Sequence, residues 1–104
     1  MSYWVRITQG AQTQADELAD WFHLNASAQV AFAFEDSFHD AAADLAEFPA
    51  GHPFDEEMKA RHRSIPGFRR YRLWFQLSGH TVLVLAVTHE AMGKESVLRR
   101  LQGK

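Results

Sequence analysis

Arg69, Arg70 and Arg72 place three guanidinium groups within four residues, inside a run whose other members alternate in polarity. From Phe68 to Leu77 the odd positions Tyr71, Leu73, Phe75 and Leu77 are apolar, while Arg70, Arg72, Trp74 and Gln76 occupy the even ones. A strand with period two would bury the first set and present the second. Three arginines in four residues exceed what solubility asks of one strand, and a cationic face suits charge-assisted bonds to an anionic partner. Trp74 shares that face and is expected to be open to a partner, with Trp4 and Trp21 packed in the core. In the alternative reading, the arginines pair with acidic residues elsewhere in the chain and keep an exposed sheet face soluble.

Other chemistries find less support. His52, His62 and His80 share no ligand spacing, and the chain has no cysteine, so neither a metal site nor a disulfide framework is expected. Glu56-Glu57 and the Asp36/Asp40 pair read as solubilising charges on a turn and a helix face. The six glycines stand singly, and no phosphate-cradling loop or cofactor motif is present. His89 closes an apolar strand, a place where a histidine serves more often as a hydrogen-bonded residue than as an acid or base.

The net charge of −2 conceals a division along the chain. Residues 1–57 carry one base, Arg6, against eleven acids, a balance of −10; residues 58–104 carry ten bases against Glu90 and Glu95, a balance of +8. Such polarity focuses positive potential on one side of the molecule and favours an anionic partner, nucleic acid or an acidic protein segment. With 104 residues, 46% of them hydrophobic, the chain suffices for one domain (1–104) with a single core. It shows no signal peptide and no run of eighteen uncharged apolar residues, so it is expected to be soluble and cytoplasmic, without a membrane partner.

The elements that must hold the arginines follow from periodicity. Tyr3 to Thr8 alternates as a short strand that Gly10 closes. Ala11, Ala15, Leu18 and Phe22 form the stripe of a first helix, and Asn25 to Ser27 interrupts it. Ser27 caps a second helix whose apolar face runs through Ala31, Phe34, Phe38, Ala41, Leu45 and Phe48. The two should form a hairpin. Pro49, Gly51 and Pro53 end it, and Asp55-Glu56-Glu57 follows as loop. Lys59 to Arg63 is a short strand with Arg61 and Arg63 on one face. Ile65-Pro66-Gly67 then turns into the arginine strand, and Ser78-Gly79-His80 turns into a last strand, Val82 to Thr88, apolar on both faces. Val97, Leu98 and Leu101 suggest a short C-terminal helix. The expected fold is α+β, in the order βααβββ, with a two-helix hairpin packed on a small antiparallel sheet. The sheet face meeting the helices is expected to hold Tyr71, Leu73, Phe75, Leu83, Leu85 and Val87.

Val5-Arg6-Ile7-Thr8 with Ala11, Ala15, Leu18 and Phe22, then Leu45 with Phe48-Pro49 and Gly51, then Gly67 to Phe75, and finally Val82 to His89 together resemble the RelE/ParE superfamily of type II toxin–antitoxin toxins. The resemblance implies a toxin of a plasmid-stabilisation module, neutralised by a cognate antitoxin that lies along its sheet and helix grooves, with operator DNA reached only through that antitoxin. It also implies one of two targets. ParE-like toxins poison DNA gyrase by binding, and their glycine–aromatic start to the third strand and closing histidine are matched by Gly67-Phe68 and Thr88-His89. RelE-like toxins cleave messenger RNA on the ribosome. For that chemistry Arg72 matches their strand arginine, and Arg61 and Arg63 stand in for their paired basic residues. His89 and Glu90 would then supply acid and base. The nuclease pattern departs in the tail, Leu101-Gln102-Gly103-Lys104, which lacks their terminal tyrosine, and Ala86 stands where several ParE-like relatives place arginine. The ParE-like branch is therefore preferred, with Arg69, Arg70, Arg72 and Trp74 as the partner-binding set.

Overall fold

The computed structural model describes residues 2–102; Gly103 and Lys104 of the tail lie outside the described residues. Strand β1 (Trp4–Ile7) passes through Thr8 into helix α1 (Gln9–Asn25). Thr8 fixes this corner: its backbone N–H and its hydroxyl both donate to the Val84 carbonyl (3.0 and 2.9 Å), and the hydroxyl accepts the Ala11 N–H at 3.2 Å. A cap at Thr8 starts the helix early, so Gly10 lies in the first turn of α1 rather than closing the strand. Ser27 caps helix α2 (Ala28–Asp44) by accepting the Val30 N–H at 3.1 Å. The two-residue link folds α2 back on α1 as a hairpin.

Beyond α2 come strands β2 (Phe54–Asp55), β3 (Ala60–Ile65), β4 (Phe68–Ser78) and β5 (Thr81–His89), then helix α3 (Lys94–Leu101). The architecture is the expected α+β arrangement of a strand, two helices, a sheet and a short C-terminal helix, with a two-residue strand inserted where a loop was expected. The sheet order is β1-β5-β4-β3-β2. Its later strands pair antiparallel, and β1 joins β5 in parallel. Pro66-Gly67 and Gly79 make the two hairpin turns, with φ of +81° at Gly67 and +59° at Gly79, a region that costs glycine little.

Directly opposed residues share a sheet face. Leu73 faces Val87, Phe75 faces Val84 and Leu77 faces Val82, and this face packs on Phe34, Phe38 and Leu45 of the hairpin side. Leu83 and Leu85, expected here, are not in that core. A bulge is the reason: Trp74 pairs with Ala86 but Phe75 pairs with Val84, so Leu85 is extra and the alternation of β5 reverses across it. The irregularity is stabilised from outside the ladder, because the Val87 N–H donates to the Gln14 side chain of α1 at 2.8 Å.

The opposite face carries a second core, in which Val97 of α3 packs with Trp74, Ala86, Met58 and Ala60. Trp74 is only 3% exposed, whereas Trp4 and Trp21 are 78% and 52% exposed. The expected placement of the three tryptophans is thus inverted. Alternation put Trp74 correctly on the arginine face, but α3 covers that part of the sheet. Phe48 also departs from expectation. The chain leaves α2 after Leu45, and Phe48 takes a left-handed conformation (φ 53°) at 80% exposure. A Cβ at Gly51 would stand 2.7 Å from the Phe48 ring, so the close approach needs the glycine.

Replacing Phe38, Phe75 or Trp74 with alanine is expected to cost about 3–5 kcal/mol, since each leaves a cavity in a filled core. Trp4→Ala should change stability by less than about 0.5 kcal/mol. Urea unfolding of the four variants checks both values, and a large loss at Trp4 would contradict the assignment of faces.

Candidate functional site

The bases singled out in the sequence divide into those the fold uses and those it leaves outward. Arg61 is used: its guanidinium donates to the carbonyls of Ala50 (3.2 Å) and His52 (2.7 Å) and lies 5.6 Å from the Phe54 ring, pinning the loop before β2. Arg63 is used as well, donating to Ala41 of the last turn of α2 (3.4 Å) and lying 3.8 Å from Asp44. A cation at a helix C-terminus meets unpaired carbonyls and the negative end of the helix dipole.

Arg69 and Arg70 are exposed at the start of β4. Their position follows from the register. Ile65 pairs with Phe68, but Ser64 pairs with Arg72, so residues 69–71 have no opposite number on β3, and the side chains of Arg69 and Arg70 stand exposed there while Tyr71 pairs with β5. Arg72 is half-buried with its guanidinium 5.9 Å from the Trp74 ring. Among the described residues none of Arg69, Arg70 and Arg72 forms an ion pair with a carboxylate; the ion pairs there use Lys59, Arg63 and Lys94. The acids of α1 and α2 do not neutralise this strand.

Trp74 cannot itself be a partner-binding surface, because α3 buries it. It serves as the platform beneath the arginine face: its indole N–H donates to the Thr88 hydroxyl at 2.8 Å, and His62 packs 4.9 Å from its ring. Thr88, the one buried polar residue among those described, enters the sequence reading only as the residue before the closing histidine, with no role of its own. Its signal was there, since a hydroxyl closing an otherwise apolar strand two residues beyond Ala86 needs a donor, and an indole on the same face supplies one.

His89 faces away from Arg72. It pairs with Tyr71, its ring 4.9 Å from the tyrosine ring, while Arg72 pairs with Thr88 on the other face. The Nδ1 of His89 accepts the Ala91 N–H at 3.0 Å, which makes it a turn-closing residue with its ring orientation fixed. Glu90 is exposed and holds the strand end through its N–H to the Arg70 carbonyl at 2.8 Å.

Two cavities flank Arg72. One, of about 160 Å³ beside Trp74, is bordered by Arg72, His89 and Glu90 but also by Asp55, Glu57 and Lys94. Lys94 is bound to Glu57 at 2.8 Å, and that carboxylate raises its pKa. Carboxylates therefore dominate this cavity, a poor setting for a phosphate whose charge grows in the transition state. The other, of about 370 Å³, is lined by His52, Pro53, His62, Arg63, Ser64 and Arg72 and by no carboxylate. Both imidazoles there have lowered pKa values. Burial is the main cause, reinforced by Arg63 and Arg61 at His52, and at His62 by Arg72 and His52 against the opposing pull of Asp55. Among the described residues no cluster of three or more His, Cys, Asp or Glu could hold a metal ion, and no helix is long and apolar enough to cross a membrane.

The family model for the ParE toxin of the type II toxin–antitoxin system parDE matches residues 5–93. No curated protein matches the chain. Among solved structures, one of the chromosomal ParDE TA system from P. aeruginosa superposes with a TM-score of 0.74 over 85% of this chain and 96% of that one, at 12% identity, a likeness of fold.

The lowered histidine values carry a pH dependence. The unfolded chain takes up protons near pH 6.5 while His52 and His62 in the folded chain resist them until lower pH. The resulting loss of stability begins as pH falls through about 6.5 and is complete below the folded pKa values. Thermal melts between pH 8 and pH 5 should show it, and the His52→Gln/His62→Gln double variant should have a flatter profile over that window; an unchanged slope would contradict the assignment.

Proposed function

The chain belongs to the ParE toxin family of type II toxin–antitoxin systems, and from that premise we propose that it acts in the cytoplasm by binding and inhibiting DNA gyrase, is neutralised by a cognate antitoxin, and serves in a stabilisation module. The observation that carries binding over cleavage is the distribution of its cations. Arg61 and Arg63 are committed to the loop and to the end of α2, and His89 to its turn. Of the two cavities beside Arg72, one is bordered by Asp55, Glu57 and Glu90, and at the other Arg63 and Arg72 come from opposite faces of the sheet, since Arg63 pairs with Leu73 and Arg72 with Ser64. Phosphodiester cleavage needs cations converging on one phosphate with a mobile proton carrier beside them. A ribosome-dependent messenger RNA endoribonuclease is the second reading, and it draws on Arg72, His89 and Glu90 bordering one cavity.

The antitoxin is proposed to bring an amphipathic acidic segment to Arg69, Arg70 and Arg72. Among the described residues these three lack carboxylate partners, so charge-assisted bonds to them cost no ion pair there. Operator DNA would be reached through the antitoxin.

Gyrase supercoiling and ribosome-programmed RNA cleavage should be measured on one preparation, with Arg72→Ala and His89→Ala alongside. Inhibited supercoiling without RNA cleavage is the expected result. Site-specific cleavage that either variant abolishes, with supercoiling untouched, would decide for the nuclease. For the antitoxin, alanine at all three arginines should weaken binding by at least about tenfold and reduce its salt dependence; affinity indifferent to both would remove the arginines from the interface.

A further inference from the structure

We propose that the tip of the α1–α2 hairpin, together with Arg69 and Arg70 beside it, is an interface through which two copies of this chain pair around a two-fold axis. Residues 21–34 run through the tip without one Asp, Glu, Lys or Arg, in a chain of which 23% is charged. Within that run Trp21 (52% exposed), Leu24 (83%) and Phe32 (64%) turn outward. They take no part in the core, which Ala15, Phe22, Ala31 and Phe34 supply from the same two helices. Single apolar residues on a surface are ordinary, but three on one hairpin tip with no charge among them make a patch whose covering is favourable.

The charges around the patch decide what covers it. On the helix layer, Asp16, Asp20 and Glu35 border a cavity of about 210 Å³ that Ala19, Ala31 and Phe32 also line, and none of the three acids forms an ion pair among the described residues. On the sheet layer stand Arg69 and Arg70, exposed and equally without a carboxylate partner there. Aromatic contacts fix how near the two layers' charges lie. Trp21 meets Phe22 edge-on at 5.4 Å, and Phe22 in turn touches Phe68 (5.3 Å) and Tyr71 (5.7 Å), the residues on either side of the two arginines. One end of the molecule therefore presents cations on one layer, carboxylates on the other and an apolar band beside them. A partner of one sign satisfies only one layer. A second copy turned over by a two-fold axis satisfies both, because each arginine pair meets the other copy's carboxylates while the apolar bands come together. The paired state covers Arg69 and Arg70 and so competes with the acidic antitoxin segment; that consequence rests on the antitoxin reading above, and the pairing itself does not.

Sedimentation velocity of the full chain over a range of concentrations reads the association directly. A monomer–dimer equilibrium that weakens as salt rises is expected. Trp21→Gln, Leu24→Gln and Phe32→Gln together should weaken it by about tenfold or more, with the fold intact by circular dichroism, since all three side chains are exposed in the single copy. Charge reversal gives the sharper result. The Arg69→Glu/Arg70→Glu variant and the Asp20→Lys/Glu35→Lys variant should each be monomeric alone, and mixing them should restore the dimer, because every reversed pair then meets its opposite. A chain that stays monomeric at the highest concentration, a dimer that the triple Gln variant leaves unchanged, or charge variants that fail to pair on mixing would overturn the proposal. So would a monomer whose affinity for its antitoxin falls in the triple Gln variant, which would give the tip to the antitoxin instead.

Discussion

Strand β5 must satisfy two cores at once, and the bulge at Leu85 is how it does so. Val82 and Val84 serve the helix hairpin on one side of the irregularity and Val87 on the other, while Ala86 and Thr88 turn to the face beneath α3. A regular strand keeping Val82 and Val84 inward would have sent Ala86 and Thr88 to the hairpin and Val87 to the opposite face. The side chains that meet Trp74 would then change, and with them the support of Arg72. Gln14 stabilises the irregular stretch by accepting the Val87 N–H, so a polar residue on α1 is part of what places the arginine face.

The sequence showed the elements whose signal is local. The Ser27 cap, the stripe of Phe34, Phe38 and Leu45, the glycine turns and the apolar last strand all announce themselves within a few residues. It misplaced what depends on contacts distant along the chain. Nothing near Leu85 marks an extra residue, and the burial of Trp74 requires knowing that Val97, more than twenty positions later, returns over the same face. Trp4 and Trp21 illustrate the converse: a large aromatic side chain is not buried unless another element covers its face, and none covers Trp4 on edge strand β1.

The arginines show the same limit in the candidate site. Period two correctly separated Arg72 from Leu73 and Phe75, yet spacing alone could not tell a cation that ties the fold together from one left for a partner. Arg61 and Arg63 differ from Arg69 and Arg70 chiefly in what lies opposite. The former find the carbonyls of Ala50, His52 and Ala41. The latter belong to the three-residue offset between β3 and β4, which moves them beyond the reach of that strand. Register decided the division.

The same distribution explains how this fold presents positive charge from a chain of net charge −2. The acids lie mainly along α1 and α2, and Asp44 alone of the helix acids forms an ion pair with a base of the sheet among the described residues. The helix layer is thick enough, with its phenylalanine core between, to keep most carboxylates away from the far face, and screening by salt weakens what remains over about 8–10 Å. Layer separation therefore preserves a charge difference that averaging over the sequence would erase. Where acids do reach the far side, Glu90 comes from the end of β5, and Asp55 and Glu57 come from β2 and the short connection after it, where Lys94 engages Glu57. That short connection, rather than the helices, brings carboxylates to the arginine face.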